Sequence, residues 1–260
     1  MSRATVLLAV SLASVALAPA EAGSSATRPP LALTATPAHV SLVGSGRASL
    51  RVTNPGRSPV VVDVGRAGFS LDRRGRPRVA PRRGVRTAAS WLSIRPARFP
   101  LAAGASRSVT VSSRVPERAE PGDHDALVLL TTRPRRRAGI VVKMRIGVVV
   151  VVRAPGRVVR RLALRGLRVR RARGARILEL GVSNRGNVTE TLERGRVWIS
   201  LERGAARTRL RAEARDLRPR TSGVVQLVYR GGLKGWVTAR AQVVAQPGRP
   251  GVMRTFRLEL

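Results

Sequence analysis

The chain has 260 residues, with 50 Lys and Arg against 14 Asp and Glu, a formal charge of +36 and no cysteine. The missing thiols exclude disulfide staples, thiolate chemistry, cysteine-ligated zinc and lipoprotein acylation, so stability must come from packing. Hydrophobic residues make up 43% and aromatics only 3%, so the cores must be built from Val, Leu, Ala and Ile. The length suits two domains of about 100 residues each.

Lys143 and Lys234 are the only lysines, so the cationic excess is almost entirely guanidinium. A GC-rich genome explains Arg in place of Lys, but not 50 cations against 14 anions. A surface this positive attracts anions, and arginine fits carboxylate and phosphate bidentately.

Residues 1–22 read as a secretory signal peptide: Arg3 gives the basic start, 4–18 the apolar stretch, and Ala20-Glu21-Ala22 the small-x-small cleavage site. The alternative, an uncleaved membrane anchor, falls short of the ~20 apolar residues a spanning helix needs. The mature chain is therefore expected to be secreted to the cell envelope without a transmembrane anchor. Residues 23–30 are a Pro-rich lead-in.

From residue 31 the pattern is β throughout. Ala48, Leu50 and Val52 alternate with Arg47, Ser49, Arg51 and Thr53, and Asn54-Pro55-Gly56 is a strong turn. Phe69-Ser70-Leu71 and Arg78-Val79-Ala80 flank a basic hairpin tip. The centre of this half is 91–130, read as strand, turn, strand, turn, strand, with Val109 and Val111 on one face. Residues 140–152 form a long apolar run with five consecutive valines, expected to be one strand buried on both faces. Turn signals about every 8–12 residues without helical periodicity predict an immunoglobulin-like sandwich over 31–153.

Ala154-Pro155-Gly156 is the expected boundary, and 154–260 repeats the β logic as a second sandwich. Its strands are expected at 162–169, 177–183, 197–201, 206–214, 224–229, 236–244 and 252–258. The fold class is thus all-β, two tandem immunoglobulin-like sandwiches after a signal peptide.

Chemistry-bearing clusters are few. Glu117, Glu120, Asp123, His124 and Asp125 form the one dense acidic group, with Asp123 and Asp125 on one strand face and His124 on the other. That is at best a weak calcium site; solvating a turn and neutralising nearby arginines is the favoured reading. Asn187-Val188-Thr189 fits a glycosylation acceptor, but the turn explains it and no function is assigned. No catalytic motif surrounds either histidine, so neither an enzyme, a metal nor a cofactor is expected.

The candidate polyanion-binding residues are Arg73, Arg74 and Arg76 in the hairpin, Arg133, Arg135, Arg136 and Arg137 in a loop, and Arg168 and Arg170 on a strand face opposite Leu167 and Val169. Solvated strand faces are the competing explanation. The few aromatics sit in apolar strand contexts, which argues against a nucleic-acid stacking surface.

The layout resembles the WxL-interacting proteins of Gram-positive surfaces, in which a peptidoglycan-binding sandwich precedes a host-binding one. The matching stretches are Val52-Thr53-Asn54-Pro55-Gly56, Phe69-Ser70-Leu71-Asp72, Trp91-Leu92, Phe99-Pro100-Leu101 and Ala119-Glu120-Pro121-Gly122. In the second half they are Val182-Ser183-Asn184-Arg185-Gly186-Asn187, Gly195-Arg196-Val197, Leu217-Arg218-Pro219 and Leu233-Lys234-Gly235. That resemblance implies a non-enzymatic protein binding anionic wall polymer, peptidoglycan or another exported surface protein. More distantly the chain resembles the PapD-like chaperones, also two tandem sandwiches, which implies donating an edge strand to an exported subunit, with 140–152 as the candidate strand.

Overall fold

The computed structural model describes residues 31–260 apart from 73–76, 80–86, 134, 138–139, 173, 193–195, 213, 247 and 249. The expected signal peptide and lead-in, and Arg73, Arg74 and Arg76, lie outside the described residues. Among those described, no helix is long and apolar enough to cross a membrane.

The first half runs β1 (Thr34–Thr36), β2 (His39–Val43), β3 (Arg47–Thr53), β4 (Val60–Ala67), β5 (Phe69–Leu71), β6 (Pro77–Val79) and β7 (Leu92–Arg95). It continues with β8 (Arg98–Leu101), β9 (Ser106–Ser113), β10 (Gly122–Thr132), β11 (Arg135–Arg137), β12 (Ile140–Val142) and β13 (Arg145–Ala154). A four-stranded sheet, β1-β3-β9-β7, packs on a five-stranded one, β2-β13-β10-β4-β8. The chain changes sheets across Pro37, where proline cannot donate to a ladder: β1 pairs antiparallel with β3, and β2 pairs parallel with β13. Alternation fills the space between the sheets with Leu50, Val52, Phe99, Val109, Val128 and Val150, none more than 1% exposed.

The second half runs β14 (Leu162–Ala172), β15 (Ala175–Asn184), β16 (Glu190–Leu192), β17 (Val197–Arg203) and β18 (Ala206–Arg211). Then come β19 (Arg215–Leu217), β20 (Ser222–Tyr229), β21 (Trp236–Val243) and β22 (Val252–Glu259). A three-stranded sheet, β14-β15-β20, and a four-stranded sheet, β18-β17-β21-β22, enclose a separate core around Leu178, Leu180, Ile199, Leu201 and Leu227. The fold is two tandem immunoglobulin-like sandwiches.

Two expectations change. The run 140–152 is interrupted at Lys143-Met144 into β12 and β13, and only its later part is buried on both faces, at Val150, Val151 and Val152. Trp198 and Trp236 belong to the outer face of their sheet; Trp236 is 57% exposed, because alternation hands the inward positions to Val197, Ile199 and Val237.

Both sandwiches turn the same corner. The fully buried Asn54 donates Nδ2 to Ser58 O (2.9 Å) and Ala102 O (3.1 Å), and accepts from Gly56 N. Asn184, 1% exposed, donates to Val188 O (2.7 Å) and Leu217 O (2.9 Å) and accepts from Gly186 N. Each amide satisfies main-chain groups that no ladder reaches. Asn184→Ala is expected to cost about 2–3 kcal/mol, since it strands buried carbonyls. Urea unfolding checks this; a midpoint equal to the native chain's would show the corner does not need its amide.

Candidate functional site

The longest feature of the first sandwich is the β10–β13 hairpin. Its register is continuous from Gly122↔Ala154 to Thr131↔Arg145, and Arg135↔Val142 carries it into β11 and β12. Between those last two pairs one strand advances four residues and the other three, so the extra residue falls on the β10–β11 side. The β12–β13 side therefore keeps its alternation through Lys143 and Met144. Thr132 N donates to Met144 O, and Met144 N to Thr132 Oγ1, both at 2.9 Å.

The outer edge of this hairpin is only half covered. β2 pairs with Val149 through Arg153, ending with Val149 N donating to Ala38 O and Gly44 N to Arg153 O. Among the described residues, Arg145–Val148 and β12 have no strand on that side. Backbone direction alternates along a strand, so Gly147 and Arg145 turn N–H and C=O outward as Val149 does toward β2. The even-numbered side chains form one line out of the core: Val152 and Val150 are fully buried, Val148 is 1% exposed, Ile146 and Met144 are half-buried, and Val142 is 44% exposed. A row of apolar side chains beside unpaired main-chain groups is the chemistry of strand addition.

The other end of the same hairpin is clasped to the second sandwich. Asp123 binds the Arg153 guanidinium through both carboxylate oxygens (2.6 and 3.0 Å) and accepts from Thr189 N at 2.7 Å. Its own N–H donates to Asn187 O at 2.8 Å. Asn187 donates Nδ2 to Pro121 O and Arg157 O, and accepts from Val159 N. Two residues on, Asp125 is ion-paired with Arg218, whose guanidinium also lies 3.9 Å from the centre of the Phe69 ring. Arg220 reaches Glu120 at 2.5 Å.

Beneath this seam Glu190 is fully buried between Arg160 (3.0 Å) and Arg196 (3.3 Å). Burial pushes the Glu190 and Asp125 carboxyls above their ordinary values, opposed by Arg160 and Arg218 respectively, while the hydrogen bond it donates to Asp123 raises Arg153. Glu120, Asp123 and Asp125 of the acidic group weighed as a cation site are thus engaged by arginines or by the second sandwich. Asp123 and Asp125 share the face that meets it, while His124 stacks 4.5 Å from Trp91 and its Nε2 contacts Glu120 O.

Among the described residues, the arginines singled out from sequence lie on separate elements. Arg133 leaves the β10 end to bind Asp63 at 3.3 Å, and Asp63, exposed, is lowered chiefly by its hydrogen bond from Arg98 at 2.6 Å. Arg135, Arg136 and Arg137 form β11. Arg168 and Arg170 are exposed on β14 of the other sandwich, opposite half-buried Leu167 and Val169, with Arg170 against Glu179 at 3.4 Å. Sequence reading missed Asn187, Arg218 and Gly122 as the clasp. The available signal was three acids in six residues at the mouth of an apolar strand.

No protein-family model and no curated protein sequence matches the chain. Solved structures do. A chain of the CFA/I fimbrial chaperone–tip adhesin complex is 12% identical, with TM-score 0.49, covering 86% of this chain and 98% of that one. The Pseudomonas aeruginosa CupB2 chaperone is 11% identical, with TM-score 0.42 and coverage of 87% and 100%. The E. coli chaperone DraB is 16% identical, with TM-score 0.43 and coverage of 88% and 99%. These similar structures come from chaperone systems, and on that finding the leading expectation from sequence, adhesion to anionic wall polymer or peptidoglycan, is corrected. The WxL-interacting resemblance finds no support; the more distant PapD-like one agrees with these structures.

Proposed function

We propose that the chain is an exported assembly chaperone that lends the open edge of β12 and β13 to an incomplete β-subunit of another exported protein. The observation that carries this is the uncovered edge at Arg145–Val148, with Ile146, Met144 and Val142 lined up beside it. The subunit's own edge strand would bond to the main chain of Gly147 and Arg145, and its apolar groove would take the even-numbered side chains. Holding a bare edge safely requires guarding: Arg145 and Lys143 flank the apolar row and discourage pairing between copies of the chain. The seam supports the same reading, because a hairpin fixed at its base presents its edge at a constant angle. The chain acts by binding, with no cofactor in the mechanism.

Gly147→Pro tests this. It removes one outward N–H and places a ring on the open edge, while the bonds from β13 to β10 use the alternate residues. Tagged chain purified from exporting cells is expected to carry one exported β-rich subunit at one to one. The proline chain, melting as the native one does, is expected to hold it roughly tenfold or more less tightly, by the loss of about 1.5 kcal/mol of edge bonding. Undiminished complex with Gly147→Pro would sink the edge mechanism.

A further inference from the structure

The second sandwich carries a surface that strand donation does not use. Its four-stranded sheet turns one face to the core and the other to solvent. The pairings Trp198↔Arg211, Trp198↔Gln242 and Gln242↔Met253 place one row across that outer face. The next row reads Arg209, Ser200, Arg240, Thr255, and the one after it Arg207, Glu202, Thr238, Arg257. Arg207, Arg209, Arg211, Arg240 and Arg257 are all exposed. Against them the face sets Glu202, which bridges Arg207 (3.1 Å) and Arg240 (3.6 Å), and Glu259 opposite Trp236. The net charge of the face is positive after internal pairing.

The aromatic residues separate this face from an ordinary solvated one. The Arg209 guanidinium lies 4.4 Å from the Trp198 ring centre, and that of Arg257 lies 5.2 Å from Trp236. A guanidinium held over an indole is oriented before any ligand arrives, and its edge N–H groups remain free to grip a carboxylate in a fork. Met253, 64% exposed, and Trp236, 57% exposed, leave apolar area in water at the two ends of the β21–β22 pair. Tryptophan, methionine and arginine together are the composition of a protein interface.

We propose that this face docks an acidic protein partner, with Arg209 and Arg257 as its carboxylate-gripping positions and Trp236 and Met253 as apolar contacts at its two ends. Charge complementarity selects the acidic class. Sugars and nucleobases need open ring faces to stack on, and here each indole already carries a guanidinium over its ring. A phosphate polymer brings no apolar surface to cover Trp236 and Met253. The site is on the opposite sandwich from the open edge and stands or falls separately from the chaperone reading.

The test titrates the full mature chain with poly-L-glutamate at 0.1 M-scale salt, reading tryptophan fluorescence. The expected result is a saturable change that weakens at least tenfold in the Arg209→Glu, Arg257→Glu chain. The Arg168→Glu, Arg170→Glu chain, with the same charge change on β14, should bind as the native chain does. A milder Arg209→Gln, Arg257→Gln chain repeats the comparison if the first fails to fold. Equal loss in both charge-reversed chains would overturn the proposal by showing attraction to total charge alone. Tighter binding of polyphosphate than of poly-L-glutamate at matched charge would overturn it in favour of a phosphate polymer.

Discussion

Asp125→Ala is expected to destabilise the protein by about 3–5 kcal/mol, the cost of leaving a buried cation without its carboxylate. Arg218 is only 8% exposed, and among the described residues Asp125 is the acid it is ion-paired with. Its stacking on Phe69 holds the guanidinium in place but does not neutralise it. Asp125→Asn keeps the shape and a hydrogen bond, so its loss should be smaller. The pH dependence has a definite sign. Burial raises the folded-state carboxyls of Asp125 and Glu190, so the folded chain binds more protons than the unfolded chain just above their ordinary values of about 3.9 and 4.3. Their contribution to stability is therefore greatest below those values and declines as pH rises through the folded ones. Glu190→Gln should flatten that decline in urea midpoints measured across the acidic range. An Asp125→Ala chain that unfolds like the native one would show that the Arg218 pair does not hold the seam.

How much of this was legible in the sequence depends on the range of the physics. Period-two alternation is local, and it placed Leu50, Val52, Val109 and Val111 in a core and gave the sandwiches their class. The repeated Asn-x-Gly corner was visible as a turn, but that Asn54 and Asn184 are buried and feed several carbonyls was not, since the acceptors lie up to 48 residues away. The break at Lys143-Met144 was hidden by five valines that read as one strand. The seam was hidden most, because Asp123 meets Thr189 across 66 residues and Arg218 lies further still. Alternation also told Trp198 and Trp236 apart from core positions, had their inward neighbours been weighed first: an indole between Val197 and Ile199 faces away from both. Charge count gave too little guidance, since arginines engaged by Asp63, Glu179 or an indole look the same in sequence as unengaged ones.

The clasp and the open edge belong to one pair of strands, which gives the seam a functional consequence. β10 and β13 begin and end at Gly122↔Ala154, beside the second sandwich, and run outward to the uncovered residues. Whatever loosens the base swings the edge.

Gly122→Val is expected to do this. Gly122 has φ +115°, a backbone region that side chains avoid, and a Cβ there would overlap the carbonyl oxygen of Asn187. Asn187 cannot retreat without cost: its carbonyl accepts from Asp123 N, and its amide joins Pro121 O to Arg157 O. The backbone cost is about 1–3 kcal/mol and each lost seam bond adds about 1, giving roughly 4 kcal/mol in all. Each core lies within its own sandwich and survives, so the expected melt has two transitions, against one expected for the native chain. The scattering radius should widen, and the subunit complex should weaken although no edge residue has changed. Gly174→Ala is the control, with φ +72° and no atom within 4 Å of the added Cβ, so it carries the backbone term alone. A Gly122→Val chain that melts in one transition at the temperature of the Gly174→Ala chain would mean the two sandwiches are not held by this seam.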